Sequence, residues 1–483
     1  MTYYEKLKTA LIAQRSLLMT LSIRQIAPES KLCHELSLDL LSDILPRARL
    51  FEILEQENAL EERERKLTMC ATVYILIAMS LFAEQSMTSI LHSLSYGLRS
   101  VWPEEPPSVV RTSALCYRRQ QLGSVPLVAL MEAICQPLAT PETPGAFRFG
   151  SRLMALDSTI EAVPATPLND AAFGRLKGRK GESAFPQVRG TYLMECGTHA
   201  IIKALFMPCC PSERHSAKLL LPRLRPDMLL LWDTGFHEYD MFRLTSKRYQ
   251  AHALGRLPAG PCPQKIKRLA DGSWLVHLFP TNRQRKRRGE FLELRLIEYT
   301  LTDPALPGYQ QTHRLLTSLL DPVLAPAMDL VCAYHERWEI ELAIDEIDTH
   351  QRLLRRTVRS KTPDGVIQEL FATVLGYYAV RALMLRSAQQ ADLDPDRLSF
   401  VHAICLLRTA TPIAQVLDPS SLPEQREQLL SSMREVLVPQ RHLRINARVV
   451  KRKYSPFNLK RPEHLHPPRI DKETTFRDIV LLI

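Results

Sequence analysis

The chain has 483 residues, more than one hydrophobic core usually serves, so we expect about two to four domains. Its 45% hydrophobic and 24% charged residues are ordinary for a globular protein and exclude a disordered chain, a collagen and a coiled-coil rod. The net charge of +11 is typical of a protein with a polyanionic partner, although a merely basic enzyme fits it almost as well. Ten cysteines without a C-x-x-C pair exclude a disulfide scaffold and favour a reducing compartment.

The N-terminal part of the sequence predicts helices, because apolar residues recur at three- and four-residue spacing through Leu36 to Leu54 and through Val73 to Leu94. The uncharged stretch Leu67 to Ala83 is at the short limit for a membrane span and contains polar residues, so it predicts a buried helix of a soluble domain. Met1 to Ser16 lacks the apolar segment of a signal peptide, so we expect a cytoplasmic protein. A proline-rich stretch marks a domain boundary near residue 145.

After residue 145 the pattern changes to short, largely apolar runs, which are typical of strands covered on both faces of a sheet. The runs are Leu153–Leu156, Thr191–Met194, Ala200–Met207 and Met228–Trp232. Asp157 directly follows the first run, and Asp233 directly follows the last. Since α/β folds bind ligands at the carboxyl ends of their strands, these aspartates are candidate site residues, although aspartate is also common there as a turn former.

The pattern is mostly β between His252 and Thr300, with Asp271-Gly272 placed as a hairpin turn. Helix returns from Met328 to His350, and a second long helical pattern covers Asp364 to Ala391. The segments Lys265–Arg288 and Arg434–Arg461 carry net charges of +7 and +8. They predict phosphate contacts along DNA or RNA, with solvated loops and a basic tail as the alternative.

Four polar residues of the helix after Met328, at spacings of three, four and seven, share one face if the helix is continuous. They are Tyr334, Arg337, Glu341 and Asp348. A carboxylate from this helix, together with the two strand-end aspartates, would complete an all-oxygen site for Mg²⁺ or Mn²⁺, as two-metal phosphodiester chemistry requires. The alternative is a surface stripe with an ion pair between Arg337 and Glu341.

These residues resemble the signature helix of the insertion sequence four family of DDE transposases, and the resemblance covers roughly residues 30 to 460. The signature has the form Tyr334-x-x-Arg337-Trp338-x-Ile340-Glu341. Other stretches agree with the family in their order along the chain: Leu156-Asp157-Ser158-Thr159, Phe185-Pro186-Gln187-Val188-Arg189, Glu195-Cys196-Gly197-Thr198-His199, Asp233-Thr234-Gly235-Phe236 and Arg359 to Val366.

The resemblance implies an α/β fold: a ribonuclease H-like catalytic core with a β-rich insertion, preceded by a helical N-terminal domain. The implied boundaries are 1–145 for the N-terminal domain, 146–235 and 329–415 for the core, 236–328 for the insertion and 416–483 for a basic C-terminal region. Asp157, Asp233 and Glu341 are the implied catalytic residues, and they would bind two Mg²⁺ or Mn²⁺ ions. The implied activity is cutting at the terminal inverted repeats of a bacterial element and joining the freed 3′-hydroxyls to target DNA.

The implied partner is double-stranded DNA, both element ends and target, held by a homodimer. By resemblance, Tyr334 and Arg337 contact phosphate near the cut, and Trp274 stacks on a flipped base, although a tryptophan beside a β-turn is more often a core residue. A basic C-terminal stretch also resembles the family's, and it predicts phosphate contacts from Lys451, Arg452 and Lys453. We expect the N-terminal domain to share in DNA binding.

Two positions depart from the family pattern. Asp348 stands where the family often has a lysine, and Ser158 follows Asp157 where glycine is frequent. A carboxylate would repel phosphate, and Arg352, eleven residues after Glu341, is a candidate replacement for the lysine. The alternatives to an active transposase are a catalytically inactive DNA-binding derivative and a host nuclease without strand transfer.

Overall fold

The computed structural model describes residues 38–62, 67–96, 112–178, 181–260, 263–281, 283, 287, 289–304, 308–353, 357–414, 419–439 and 474–483. Within these residues the N-terminal region is helical, as the apolar spacing predicts. Its helices are α1 (Arg47–Gln56), α2 (Met69–Leu81), α3 (Met87–Tyr96), α4 (Thr112–Leu122) and α5 (Val125–Ile134).

A large mixed sheet forms the centre of the molecule. Its strands are β1 (Phe147–Arg148), β2 (Ser151–Ala162), β5 (Gln187–Glu195), β6 (Ile201–Pro208), β7 (Met228–Trp232), β8 (His252–Arg256), β9 (Gln264–Arg268), β10 (Trp274–Leu278), β11 (Leu292–Leu301), β12 (His313–Thr317) and β13 (Val480–Leu482), while β3 (Lys177–Gly178) and β4 (Gly181–Glu182) make a separate hairpin. The predicted apolar runs fall within these strands, except that Ala200 precedes the start of β6.

The strand order is β6-β5-β2-β7-β8-β12-β11-β10-β9, with β1 beside β2 and β13 beside β11. Strands β2, β5 and β6 are antiparallel neighbours, whereas β7 and β8 run parallel to β2. From β8 onward the sheet is antiparallel, and the predicted turn at Asp271-Gly272 joins β9 to β10. The β-rich segment therefore extends the central sheet through the β8–β12 pair instead of forming a separate layer.

The remaining helices pack on the sheet or on one another. They are α6 (Pro167–Phe173), α7 (Glu213–Leu220), α8 (Tyr239–Arg243), α9 (Ala327–His335), α10 (Trp338–Asp345), α11 (Pro363–Gln389), α12 (Phe400–Ala414) and α13 (Leu422–Met433). A π-helical turn, Glu346–Gln351, follows α10. The architecture is a mixed α/β fold with a helical N-terminal region, as predicted at this level.

Helix α2 is buried at every position and packs along α11, which explains why its sequence carries no charge. Thr68 begins the helix by accepting a hydrogen bond from the Ala71 N–H at 3.1 Å. The guanidinium of Arg119 on α4 donates to Gln368 on α11 and to Ser360, which lies just before α11. The stretch Leu67 to Ala83 is thus a buried helix, and among the described residues no helix is long and apolar enough to cross a membrane.

Two elements differ from the sequence prediction. Strand β2 continues five residues beyond Asp157, because its far half still pairs with β5. The helix predicted from Met328 to His350 is interrupted after His335, where the Glu336 and Arg337 N–H groups bond three residues back instead of four. The four residues expected on one helical face therefore lie on two helices and a π-helical turn.

Candidate active site

Asp157 and Asp233 stand beside each other on neighbouring parallel strands. Ala155 of β2 pairs with Leu231 of β7, so two residues further along each strand the two aspartates stand at the same level. The Oδ1 atom of Asp157 accepts the N–H of the next residue at 2.7 Å, and Oδ1 of Asp233 accepts the N–H two residues on at 2.8 Å. One oxygen of each carboxylate is thereby fixed by backbone.

Glu341 of α10 joins this pair through a shared guanidinium. Nη2 of Arg337 donates to Oε1 of Glu341 at 2.8 Å, and Nη1 lies 3.9 Å from Oδ2 of Asp157. Arg337 is nearly buried, whereas the Glu341 side chain is 38% exposed. The structure therefore brings the two strand aspartates and the helix glutamate to one place, with a positive charge among them.

The electrostatics of this cluster are those of crowded acids. The pKa of Asp157 is raised to about 7, chiefly by burial and to a smaller extent by the charges of Glu341 and Asp233, against the Ser158 N–H and Arg337, which lower it. Burial alone would lower the pKa of Arg337, but the neighbouring Tyr334, Glu341 and Asp157 outweigh it and hold the guanidinium charged. The cluster therefore combines a carboxyl group of raised pKa with a charged guanidinium.

Tyr334 supports the end of strand β7. Its buried hydroxyl donates to the carbonyl of Trp232 at 3.3 Å, directly before Asp233, and burial raises its pKa above the ordinary value. On the other side of Trp232, strand β8 approaches so closely that a Cβ at Gly255 would lie 2.3 Å from the indole Nε1. Glycine is therefore required at position 255. The phosphate contact that the sequence predicts for Tyr334 stays a prediction.

Sequence reasoning did not single out Glu213, the first residue of α7. Its Oε2 accepts the Ser158 hydroxyl at 3.1 Å and lies 3.7 Å from Nη1 of Arg189, while a Cβ built at Gly235 would be 2.7 Å from its Oε1. Glu213 thus reaches the neighbours of both strand aspartates. The sequence gives no signal for this, because only the fold brings the start of α7 to the ends of β2 and β7.

Arg352, the predicted replacement for the family lysine, lies in a buried ion-pair cluster. Its Nη1 donates to Oε2 of Glu161 at 2.6 Å and lies 3.5 Å from Oδ1 of Asp348. The three side chains are between 4% and 9% exposed. Because the π-helical turn displaces Arg352 from the face of Glu341, its guanidinium is engaged inside the protein, and Asp348 is turned inward with it.

The other predicted DNA-binding residues differ in their placement. Trp274 begins β10 with its ring partly exposed, and Nζ of Lys265 lies 4.8 Å from the ring centroid, with the Arg268 guanidinium at 5.7 Å. Strand β9, which carries both cations, is exposed along its whole length. Lys451, Arg452 and Lys453 lie outside the described residues.

A second group of possible metal ligands lies behind α10, where Nε2 of buried His199 is 2.6 Å from Oε2 of Glu339 and 3.3 Å from Oδ1 of Asp396. Arg381 donates to Nδ1 of the same imidazole. Arginine has no acceptor, so Nδ1 must accept and Nε2 must carry the proton that points at the carboxylates. This imidazole therefore offers no lone pair to an ion, and we interpret the group as a hydrogen-bond network.

Comparison with known proteins shows which transposases this chain is similar to. Residues 35–132 match the family model described as the insertion element 4 transposase N-terminal domain. The chain is 29% identical over 416 residues to the transposase InsG for insertion sequence element IS4 of Escherichia coli strain K12, covering 85% of this chain and 91% of that protein. It is 24% identical over 225 residues to the putative transposase InsZ of the same organism, covering 41% of this chain and 72% of the relative.

Among solved structures, a piggyBac transposase in a synaptic complex with hairpin DNA is similar with a TM-score of 0.41 and 10% identity, covering 83% of this chain and 87% of that one. The family model and the InsG relative confirm the family predicted from the motifs. They support placing the chain among the transposases of the insertion sequence four family.

Proposed function

We propose that the protein is a DDE transposase that cuts DNA at terminal inverted repeats and joins the 3′-hydroxyl ends to target DNA. The observation that carries the proposal is the convergence of Asp157, Asp233 and Glu341 around Arg337. The relatives InsG and InsZ, a transposase and a putative transposase by name, support the same activity.

The fold supports a ribonuclease H-like core. Strands β6, β5 and β2 form an antiparallel triple, and β7 and β8 add in parallel beside β2, which is the strand order of that fold. Asp157 lies on the central β2, Asp233 directly follows the adjoining β7, and the glutamate comes from a later helix. On this reading β9 to β12 are the insertion, between β8 and the catalytic helix. We keep the domain boundaries of the sequence analysis as proposals with one change: β8 (His252–Arg256), which lies inside the predicted insertion 236–328, is assigned to the core.

The acidic cluster fits two Mg²⁺ or Mn²⁺ ions. Hard cations prefer carboxylate oxygens, and a divalent cation would offset the repulsion that Glu341 and Asp233 exert on Asp157, whose pKa is raised chiefly by burial. Asp157, Asp233 and Glu341 would hold the ions, which would supply a lowered pKa for the attacking water or hydroxyl and charge stabilisation at the leaving oxygen.

The residues of the chain orient these groups. Backbone N–H groups fix Oδ1 of both aspartates, and Oδ2 of Asp157 faces the Arg337 guanidinium at 3.9 Å. Arg337, which neutralises Glu341 and faces Asp157, lies where a scissile phosphate would meet a guanidinium. Glu213 accepts from Ser158 and so restrains the residue that follows Asp157.

DNA is the proposed partner, and a homodimer would pair two element ends. The exposed β9 strand with Lys265 and Arg268, next to the ring of Trp274, combines cations with an aromatic face, as DNA-contacting surfaces do. The N-terminal helices and the basic C-terminal region, including Lys451, Arg452 and Lys453, would add further phosphate contacts.

The alternative, a derivative that binds DNA without cutting it, depended on Asp348 and Ser158. Asp348 is 4% exposed and faces Arg352, so its charge is compensated inside the protein and is not presented to phosphate. The hydroxyl of Ser158 has a partner in Glu213. We therefore favour the active enzyme.

The test is cleavage of DNA that carries the terminal repeats flanking the gene, in Mg²⁺ or Mn²⁺, by the intact protein and by Glu341→Gln. We expect the intact protein to nick at the repeat ends and Glu341→Gln to bind the same DNA without nicking it. Specific binding without cutting by either protein would support the DNA-binding derivative instead.

A further inference from the structure

The turn between β9 and β10 is tied into a buried ion-pair cluster. Asp271 starts the turn, and its Oδ1 accepts both the hydroxyl of Ser273 at 2.6 Å and the Ser273 N–H at 3.2 Å. Gly272 between them has a φ of 86°, a conformation that L side chains rarely adopt. Trp274 follows at once, so this turn determines where the partly exposed indole is held.

Arg295 crosses beneath the turn from strand β11, and its side chain is completely buried. Its Nε donates to Oγ of Ser273 at 2.7 Å, and its Nη2 donates to Asp271. Its Nη1 donates to the carbonyl of Ala325 at 2.6 Å and to that of Asp321 at 3.3 Å, in the loop before α9. A buried guanidinium is costly unless its donors are satisfied, and here the partners come from both the turn and that loop.

Asp271 completes the connection. Its Oδ2, the oxygen bound by Arg295, also accepts the N–H of Ala327 at 2.9 Å. Ala327 is the first residue of α9, where helical N–H groups lack intrahelical partners and the helix dipole favours a negative charge. Helix α9 ends two residues before Arg337, the guanidinium shared by Glu341 and Asp157. One carboxylate thus joins the turn that carries Trp274 to the helix that leads to the acidic cluster.

We propose that Asp271 and Arg295 are positioning residues that make the β9–β10 turn and α9 move as one body, so that DNA bound at Trp274 sets the position of Arg337. The inference rests on the proposed function, because it takes DNA to be the molecule bound at the turn. Removing the connection should leave DNA binding intact and slow the cutting step.

The experiment compares the full-length protein with Asp271→Ala and Asp271→Asn, using DNA that carries the terminal repeats. Affinity is measured by fluorescence anisotropy, and the cleavage rate is measured in a single turnover at saturating DNA. Hydrogen exchange of the α9 N–H groups is followed with and without that DNA. Asp240→Asn is the matched control, since Asp240 is paired with Arg243 at 2.9 Å on α8 and is 42% exposed.

For Asp271→Ala we expect affinity within about twofold of the intact protein and a cleavage rate lower by roughly tenfold to a hundredfold, because small misplacements near a reaction are costly. Asp271→Asn keeps an acceptor for the Ala327 N–H, so its cleavage rate should lie between those of the intact protein and Asp271→Ala. DNA should slow exchange at the start of α9 in the intact protein and in Asp240→Asn, but not in Asp271→Ala.

Three outcomes would overturn the coupling. They are an unchanged cleavage rate in Asp271→Ala, a lower DNA affinity with an unchanged cleavage rate, and slower hydrogen exchange of α9 on DNA binding that persists in Asp271→Ala. If Asp271→Ala does not fold, the same three outcomes are scored on Asp271→Asn. A failure of the proposed function is distinguishable, because the intact protein would then not cut the repeat-bearing DNA at all.

Discussion

Replacing Arg352 by alanine separates a structural role of this residue from the DNA contact expected from the sequence. In the structure its guanidinium neutralises Glu161 at 2.6 Å and faces Asp348 at 3.5 Å, all three side chains being nearly buried. Arg352→Ala leaves two buried carboxylates without this cation. Removing one partner of a buried ion pair lowers the free energy of unfolding by about 3–5 kcal/mol, mostly because the remaining charge is left uncompensated.

The assay is urea unfolding followed by tryptophan fluorescence, with binding of repeat-bearing DNA measured on the same preparations. We expect Arg352→Ala to lower the free energy of unfolding by roughly 3–5 kcal/mol. The double variant Arg352→Met with Glu161→Gln should recover part of this loss. Arg49→Ala is the control, because Arg49 forms an exposed pair with Glu52 on α1, worth only about 0.2–0.5 kcal/mol.

A DNA contact would behave differently. It predicts unchanged stability, weaker DNA binding across all sequences and a salt slope smaller by about one. Arg352→Ala with unaltered urea unfolding and this binding defect would refute the buried ion pair as the role of Arg352.

Three further predictions concern the site and its support. Glu213→Gln should lower the single-turnover cleavage rate without changing DNA affinity, since Glu213 restrains Ser158; an unchanged rate would remove it from the site. Burial raises the pKa of Glu346, but Arg381 and its other partners outweigh this and lower it from the ordinary value of 4.5 to about 2. Its stabilisation is therefore present above about pH 4.5 and lost as the pH falls toward 2. Urea midpoints of the intact protein should accordingly fall toward those of Glu346→Gln across that range; parallel pH profiles would contradict the shift. Gly255→Ala should destabilise by about 1–3 kcal/mol in the same unfolding assay, because the new Cβ meets the Trp232 indole, and an unchanged midpoint would mean that the ring moves freely.

The strands and the aspartates at their ends were predictable because a short apolar run bounded by turn residues indicates a buried strand from local sequence alone. The run Met228–Trp232 is strand β7 without any change of bounds, since an uninterrupted apolar run bounded by turns has few other uses. The pairing that puts Asp157 level with Asp233 was expected only in outline, from the rule that parallel strands present their carboxyl ends together.

The break after His335 and the position of Arg352 could not be read from the sequence. No glycine or proline lies between Ala327 and Arg352, so local propensity favours one continuous helix. The partners of Tyr334 and Arg337 come from residues roughly a hundred or more positions away, at Trp232 and Asp157. Long-range contacts therefore decide a local conformation, and Glu213 was missed for the same reason.

Two networks of buried polar side chains support α10 and the turn that follows it. Together they explain how the partly exposed Glu341 is held in place. Behind the helix, Glu339 bonds to His199, and Glu346 at the helix end bonds to Arg381. Beyond it, Arg352 pairs with Glu161 of β2, the strand that carries Asp157. Each group pairs α10 or its π-helical turn with a neighbouring element, so rotation of the helix would break buried charge pairs. The partly exposed Glu341 is therefore held in position by buried groups on other faces of α10 and its π-helical turn.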